Sequence, residues 1–367
     1  MGIIVGMIGL THPHSAMHLR TLDALDAVDA VALYDSDLVT AGQTIGGCRK
    51  KSDVYSDLDA LLERRDVPVV FVALPNHQTP EAVIRAAQAG KHVICEKPCA
   101  PDTTAMQPVL EAIERHGVGF TACYIWRAHP AILKMRDLVE SGTLGRLTSV
   151  ELRMVTTQVG MRNPAHWLFR RDVAGGGILS WLGCHWIDLL RFVTGQEVAS
   201  LCALTGTVSG EPIDVEDVAN VSMRLSGGAI ASLHAGYLLA FGRVGYDSAG
   251  YDQAVIIRGS DGAMSLLRSG DDYVVSVESV SAAWRSAPRQ AFSFSLPSSP
   301  AYGGVHGLEF VEDFIHYAMR GEGTNRVTAQ DAYRVLQILD AIYASADREC
   351  VVRVGGSESG GRRSPRS

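Results

Sequence analysis

The first 122 residues alternate short apolar strands with helices, and this alternation restricts the fold more than any other feature of the chain. Ile3–Ile8 is an unbroken apolar run, as a strand buried on both faces requires. Strands are predicted at 30–34, 69–73, His92–Cys95 and 119–122, with helices over 15–25, 57–64, 81–89 and Thr103–His116. Ser15 is expected to cap the first of these helices, and Gly90 and Gly117 stand where helices close on glycine. Parallel neighbours need a crossover between them, so the pattern predicts a doubly wound parallel sheet.

After residue 122 the pattern changes. A helix at 130–141 leads into a long β-branched strand, Leu147–Thr157, and a helix over 177–194 follows the triple glycine Gly175-Gly176-Gly177. Strands at 200–208, Val218–Leu225, 229–237, 254–258, 263–267 and 273–277 form a meander, with hairpin turns such as Ser226-Gly227-Gly228. Helices at 308–320 and 329–347 and a strand at 351–354 close the chain. The expected organisation is a dinucleotide-binding domain over 1–122 and an α+β domain on an open antiparallel sheet over 123–354. A Gly/Ser/Arg-rich disordered tail is expected over 355–367.

Composition sets the class. Apolar residues are 47% and charged residues 20% of the 367, which is globular and supplies a large core. A net charge of −7 argues against nucleic acid or anionic membrane as the main partner. No uninterrupted apolar run reaches the ~18 residues of a membrane span. Seven scattered cysteines suit reduced thiols in a cytoplasm rather than a disulfide framework.

The turn after the first strand reads Gly9-Leu10-Thr11-His12-Pro13-His14, with only the first glycine of G-x-G-x-x-G. Its position between a buried strand and a helix N-terminus still favours a bound anion. Asp35 ends the second strand, where an acid would meet the ribose hydroxyls of NAD and repel the 2′-phosphate of NADP; it also fits an ordinary turn. His12 and His14 form an H-x-H pair of the kind that holds a metal in amidohydrolase barrels. The antiparallel second half lacks the β-α units such a barrel needs, and no metal is expected. Glu96-Lys97-Pro98 follows a strand at the sheet edge where open α/β folds bind ligands. Lys97 there can polarise a hydroxyl, or simply pair with Glu96 at the surface. Trp181, His185 and Asp188 share one helix face, and His185 can be a general base or a structural histidine.

Taken in order, these segments resemble the glucose-fructose oxidoreductase / inositol dehydrogenase (Gfo/Idh/MocA) family. Residues 73–77, including Pro75 and Asn76, and residues 89–98, ending in Glu96-Lys97-Pro98, match its strand–helix–strand passage. Tyr124-Ile125-Trp126-Arg127 through Pro130 resembles its Y-x-x-R-x-x-P crossing, and Gly142 to Arg146 its following turn. The triple glycine with Gly183, His185 and Asp188 is similar to G-G-G-x-L-x-D-x-G-x-H-x-x-D. The resemblance implies an NAD-dependent oxidoreductase acting on a secondary hydroxyl or ketone of a sugar, cyclitol or glycoside. Lys97 and His185 would be catalytic. Gly9, Thr11, His12, His14, Asp35, Pro75, Asn76, Glu96 and Lys97 would line the cofactor cleft, and Arg127, Trp181 and Asp188 the substrate site. A homo-oligomer, dimer or tetramer, is implied as well. Alternatives are a redox-neutral enzyme that recycles NAD in place during hydrolysis, elimination or epimerisation, and a non-catalytic sugar sensor. Two departures stand out. Thr11 and His14 replace the later glycines, and Trp181 occupies the position of the family's acid, where it can stack on a sugar ring but cannot take a proton.

Overall fold

A computed structural model describes residues 2–240, 250–269 and 272–355, leaving 356–367, most of the expected tail, outside the described residues. The first sheet contains β1 (Ile3–Ile8), β2 (Val28–Tyr34), β3 (Lys51–Tyr55), β4 (Val69–Val72), β5 (His92–Cys95) and β6 (Phe120–Ala122). All its pairs are parallel, in the order β3-β2-β1-β4-β5-β6. The helices between are α1 (Ser15–Ala24), α2 (Gly42–Gly47), α3 (Leu58–Leu62), α4 (Thr79–Gln88) and α5 (Thr103–His116). This is a doubly wound arrangement, and its strand order reverses between β1 and β4, where such sheets bind ligands. Every residue of β4 is buried, because helices cover both faces. β3 has no counterpart among the predicted strands. Its sequence Lys-Ser-Asp-Val-Tyr lies almost wholly exposed on the sheet edge, so burial wrote no apolar pattern into it.

The second half comprises α6 (Pro130–Glu140), β7 (Leu147–Thr157), α7 (Arg171–Ala174), α8 (Cys184–Thr194), β8 (Val198–Gly206), β9 (Val218–Leu225), β10 (Ile230–Leu239) and β11 (Tyr251–Gly259). It continues with β12 (Gly262–Ser269), β13 (Asp272–Ser279), β14 (Arg289–Phe294), α9 (Val305–Arg320), α10 (Ala329–Arg348) and β15 (Val352–Arg353). The nine strands run β14-β13-β12-β11-β7-β10-β9-β8-β15. The sheet is mostly antiparallel, with one parallel pair: β10 lies beside β7, and the chain between them runs through α7, α8, β8 and β9. Burial alternates along β9, so one face packs on helices while the other leaves Leu204, Ile230 and Leu267 exposed. β14, another exposed edge strand, was likewise not predicted.

The segment Arg171–Thr194 is long and apolar enough to cross a membrane, yet its apolar window is 94% buried within the fold. Its continuous part, from Ile178 to Thr194, is the central helix of the second half. A π-helical turn, Leu179–Gly183, precedes α8 within it.

Candidate functional site

The site forms where the carboxyl ends of β1, β4 and β5 meet the start of this central helix. Gly9 leaves β1 at φ +93°, and a Cβ there would stand 2.2 Å from the Ala73 carbonyl oxygen, so only glycine fits. Ser15 does not cap α1 as expected. Its hydroxyl instead donates to the Gly9 carbonyl at 2.8 Å, and His14 occupies the cap position without a side-chain bond, so the first-turn N–H groups of α1 have no side-chain cap. Thr11 stays exposed on the loop.

Asp35 sits at the end of β2, as expected, but its carboxylate turns inward. One oxygen accepts from Leu10 N at 2.6 Å and Thr11 Oγ1 at 3.4 Å, the other from Asp37 N at 2.9 Å. The acid braces the loop through those bonds. Asn76, expected in the cofactor cleft, also bonds within the chain: its amide donates to the Ala174 carbonyl at 2.7 Å, while His77 N donates to the Val173 carbonyl at 3.1 Å. These bonds tie the turn after β4 to α7. Pro75 begins that turn, its carbonyl accepting from Gln78 N.

Glu96 is the electrostatic centre. Its buried carboxylate receives His14 Nδ1 at 3.2 Å on one oxygen and His18 Nε2 at 2.5 Å on the other. Burial alone would raise this carboxyl, but the two imidazoles hold it well below the ordinary range, so it is anionic. Burial pushes His14 down to about 4, which leaves a neutral ring. His18 was not anticipated; the i, i+4 spacing with His14 was the available signal. His14, His18 and Glu96 are close enough together to hold a metal ion. The direct 2.5 Å bond and the Lys97 ammonium 3.8 Å from the same carboxylate favour a hydrogen-bonded cluster over a cation. His12 accepts His14 N at 3.1 Å on Nδ1, while its buried Nε2 lacks a partner among the described residues.

Lys97 is 1% exposed, not at the surface. Its ammonium donates to the Trp181 carbonyl at 2.6 Å and lies 4.0 Å from the centre of the Trp181 ring. The indole also packs 4.6 Å from His14 across the junction of the two halves. His185 enters the same region one turn later. It is buried, its Nδ1 is unpartnered among the described residues, and its ring meets Tyr124 edge-on at 5.6 Å. Burial, reinforced by Lys97, drives its pKa well below the ordinary value, so the imidazole is neutral.

Arg127 and Asp188 come together, but on each other. Arg127 Nε and Nη2 grip the two Asp188 oxygens at 3.0 and 2.7 Å, and the remaining guanidinium donors reach Asp331 and the Arg326 carbonyl. A buried charge in low dielectric requires such pairing, so the two residues expected to line the substrate site pair with each other. Glu216, absent from the sequence reading, caps the central helix: it accepts Gly177 N at 2.9 Å and Leu179 N at 3.0 Å. A triple glycine opening a helix with no local cap was the only hint.

The features that would hold a dinucleotide are therefore in place: the obligatory Gly9 turn, the α1 N-terminus without a side-chain cap, the unpartnered His12 Nε2 and the switch point of the sheet. Comparison with known proteins agrees. Residues 3–124 match a family model described as "Oxidoreductase family, NAD-binding Rossmann fold", and residues 132–265 match the GFO/IDH/MocA C-terminal domain. The chain is 28% identical to levoglucosan dehydrogenase of Pseudarthrobacter phenanthrenivorans over 331 residues, 82% of this chain and 83% of that one. It is 29% identical to inositol 2-dehydrogenase 2 of Saccharopolyspora erythraea over 276 residues, 72% and 74% of the two chains. Among solved structures, levoglucosan dehydrogenase in complex with NADH and levoglucosan superposes with a TM-score of 0.80 at 25% identity, covering 97% of this chain and 100% of that one. An oxidoreductase domain protein from Kribbella flavida shares the fold with a TM-score of 0.83.

Proposed function

Because the chain belongs to the Gfo/Idh/MocA family of oxidoreductases, we propose that it transfers a hydride between NAD and a secondary carbinol carbon of a neutral sugar, cyclitol or glycoside. The observation that carries this reading is that Lys97 and neutral His185 are both buried, with Lys97 near enough for its charge to act on the imidazole. NAD, held by the Gly9–His14 loop and the α1 N-terminus, supplies the hydride acceptor. The chain's own groups do the rest. Lys97 donates a hydrogen bond to the reacting oxygen and stabilises charge developing there. His185 accepts the hydroxyl proton on the way to ketone and returns it in the reverse direction. Anionic Glu96, held by His14 and His18, steadies the Lys97 ammonium. Trp181, whose ring lies against Lys97 and His14, offers an apolar wall to the C–H face of a sugar ring.

Levoglucosan and inositol, the substrates that name two relatives, are compact, uncharged and rich in secondary hydroxyls. The seven unpaired thiols fit a reducing, cytoplasmic setting. The exposed face of the nine-stranded sheet fits pairing with a second copy into a dimer or tetramer, which light scattering would check. The direct test is NADH formation from NAD with levoglucosan, myo-inositol and methyl glucosides. Turnover with any of them that disappears in Lys97→Met supports the reading. Conversion of a sugar without net NADH would mean the cofactor is recycled in place, and no conversion with no NAD binding at millimolar cofactor would overturn it.

A further inference from the structure

An imidazole that takes a proton on one nitrogen must place the N–H of the other, and enzymes commonly give that N–H a carboxylate. Here the helix position one turn before His185 carries Trp181, so no acid is offered from the same face. Nor do the nearby acids serve. Both Asp188 oxygens are gripped by Arg127, and both Glu96 oxygens by His14 and His18. The charged and titratable groups that act on His185 are Lys97, Glu96 and His14; those around Tyr124 are Cys184, Cys99, Asp188 and Arg127.

Two polar atoms remain unmatched in this space. His185 Nδ1 and the Tyr124 hydroxyl are both buried and both without a hydrogen-bond partner among the described residues. Their rings touch, perpendicular at 88° and 5.6 Å between centres, and Tyr124 is wholly inaccessible. Buried polar groups are almost always paired, so two orphans in one ring contact point to each other. Catalytic hydrogen bonds are often long in the free enzyme and tighten only with substrate bound.

We propose that Tyr124 is the positioning residue of His185, its hydroxyl oxygen accepting the Nδ1–H directly after a small side-chain rotation or through one water. The bond fixes the tautomer that leaves Nε2 bare toward the substrate, and it steadies the imidazolium once formed. Tyr124 keeps its own proton throughout; the only proton moved is the substrate's, from its oxygen to Nε2. Trp181 thereby becomes compatible with catalysis, because the duty of the missing carboxylate passes to a neighbouring element.

The inference rests on His185 as the proton acceptor, and the test separates the two. Tyr124→Phe removes one oxygen at unchanged shape and should fold as the parent does. The expected result is a fall in kcat of about tenfold or more, with KM and NAD affinity within about twofold. In ¹⁵N-histidine spectra the His185 signals should move from a single Nδ1–H tautomer toward a mixture. Unchanged kcat with unchanged spectra overturns the assignment, and so does a lower kcat with the tautomer intact, which would mark a packing role. His185→Gln is measured alongside. If it retains turnover, the acceptor reading itself fails; if it is inactive while Tyr124→Phe matches the parent, only the Tyr124 assignment falls.

Discussion

Acid should unfold this protein through a pair of buried histidines that take no part in the proposed chemistry. His129 caps α6, accepting Ala131 N at 3.1 Å, and His306 lies in the first turn of α9; their ring centres are 4.7 Å apart. Both are buried against Trp126, and His129 Nε2 and His306 Nδ1 have no partner among the described residues. Burial lowers His129 from 6.5 to about 4; burial, with His129 beside it, lowers His306 to about 3. The unfolded chain therefore binds more protons than the folded one between about pH 6.5 and about 3. The neutral rings contribute their full stability above that value, and it is lost as the pH falls toward 4 and then 3. At pH 5 each ring costs about 2 kcal/mol relative to pH 7.5, about 4 kcal/mol for the two, a large share of a typical domain's stability. The assay is urea unfolding at both pH values for the parent and for His129→Asn/His306→Gln, in which Asn retains the cap acceptor. The parent should lose about 4 kcal/mol more than the double variant between pH 7.5 and 5. Equal losses in the two proteins would refute the reasoning.

Three further outcomes follow from the site. Lys97→Met should lower kcat by orders of magnitude while NAD affinity by calorimetry stays within a few-fold, and Lys97→Met/His185→Gln should lose far less than the sum of the singles, since both act on one proton. Trp181→Phe keeps a π face beneath the Lys97 ammonium but less area, so KM should rise with a stability loss of roughly 1–2 kcal/mol in urea; loss of stability with unchanged KM would leave the indole a packing role only. NAD should bind more tightly than NADP, because the Asp35 carboxylate braces the loop and its charge opposes a 2′-phosphate nearby. Equal affinity by calorimetry would reject that role.

What the sequence determined by itself was whatever local rules write into the chain. The apolar runs of β1, β4 and β5, the Gly117 stop of α5 and the Gly9 turn were legible because each requirement is met by adjacent residues. Motif order likewise revealed the family and pointed to Lys97 and His185. Exposed edges such as β3 and β14 were illegible, since a strand that buries nothing carries no periodicity. Tertiary structure alone decided the partners. Arg127 pairs with Asp188, 61 positions away; Lys97 finds a carbonyl 84 positions on; Glu216 accepts from Gly177, 39 residues before it. Charge and hydrogen-bond pairing act across space at about 3 Å and leave no trace in residue spacing. Which acid is free, which is spent and which tyrosine stands beside a base are settled only when the chain has folded.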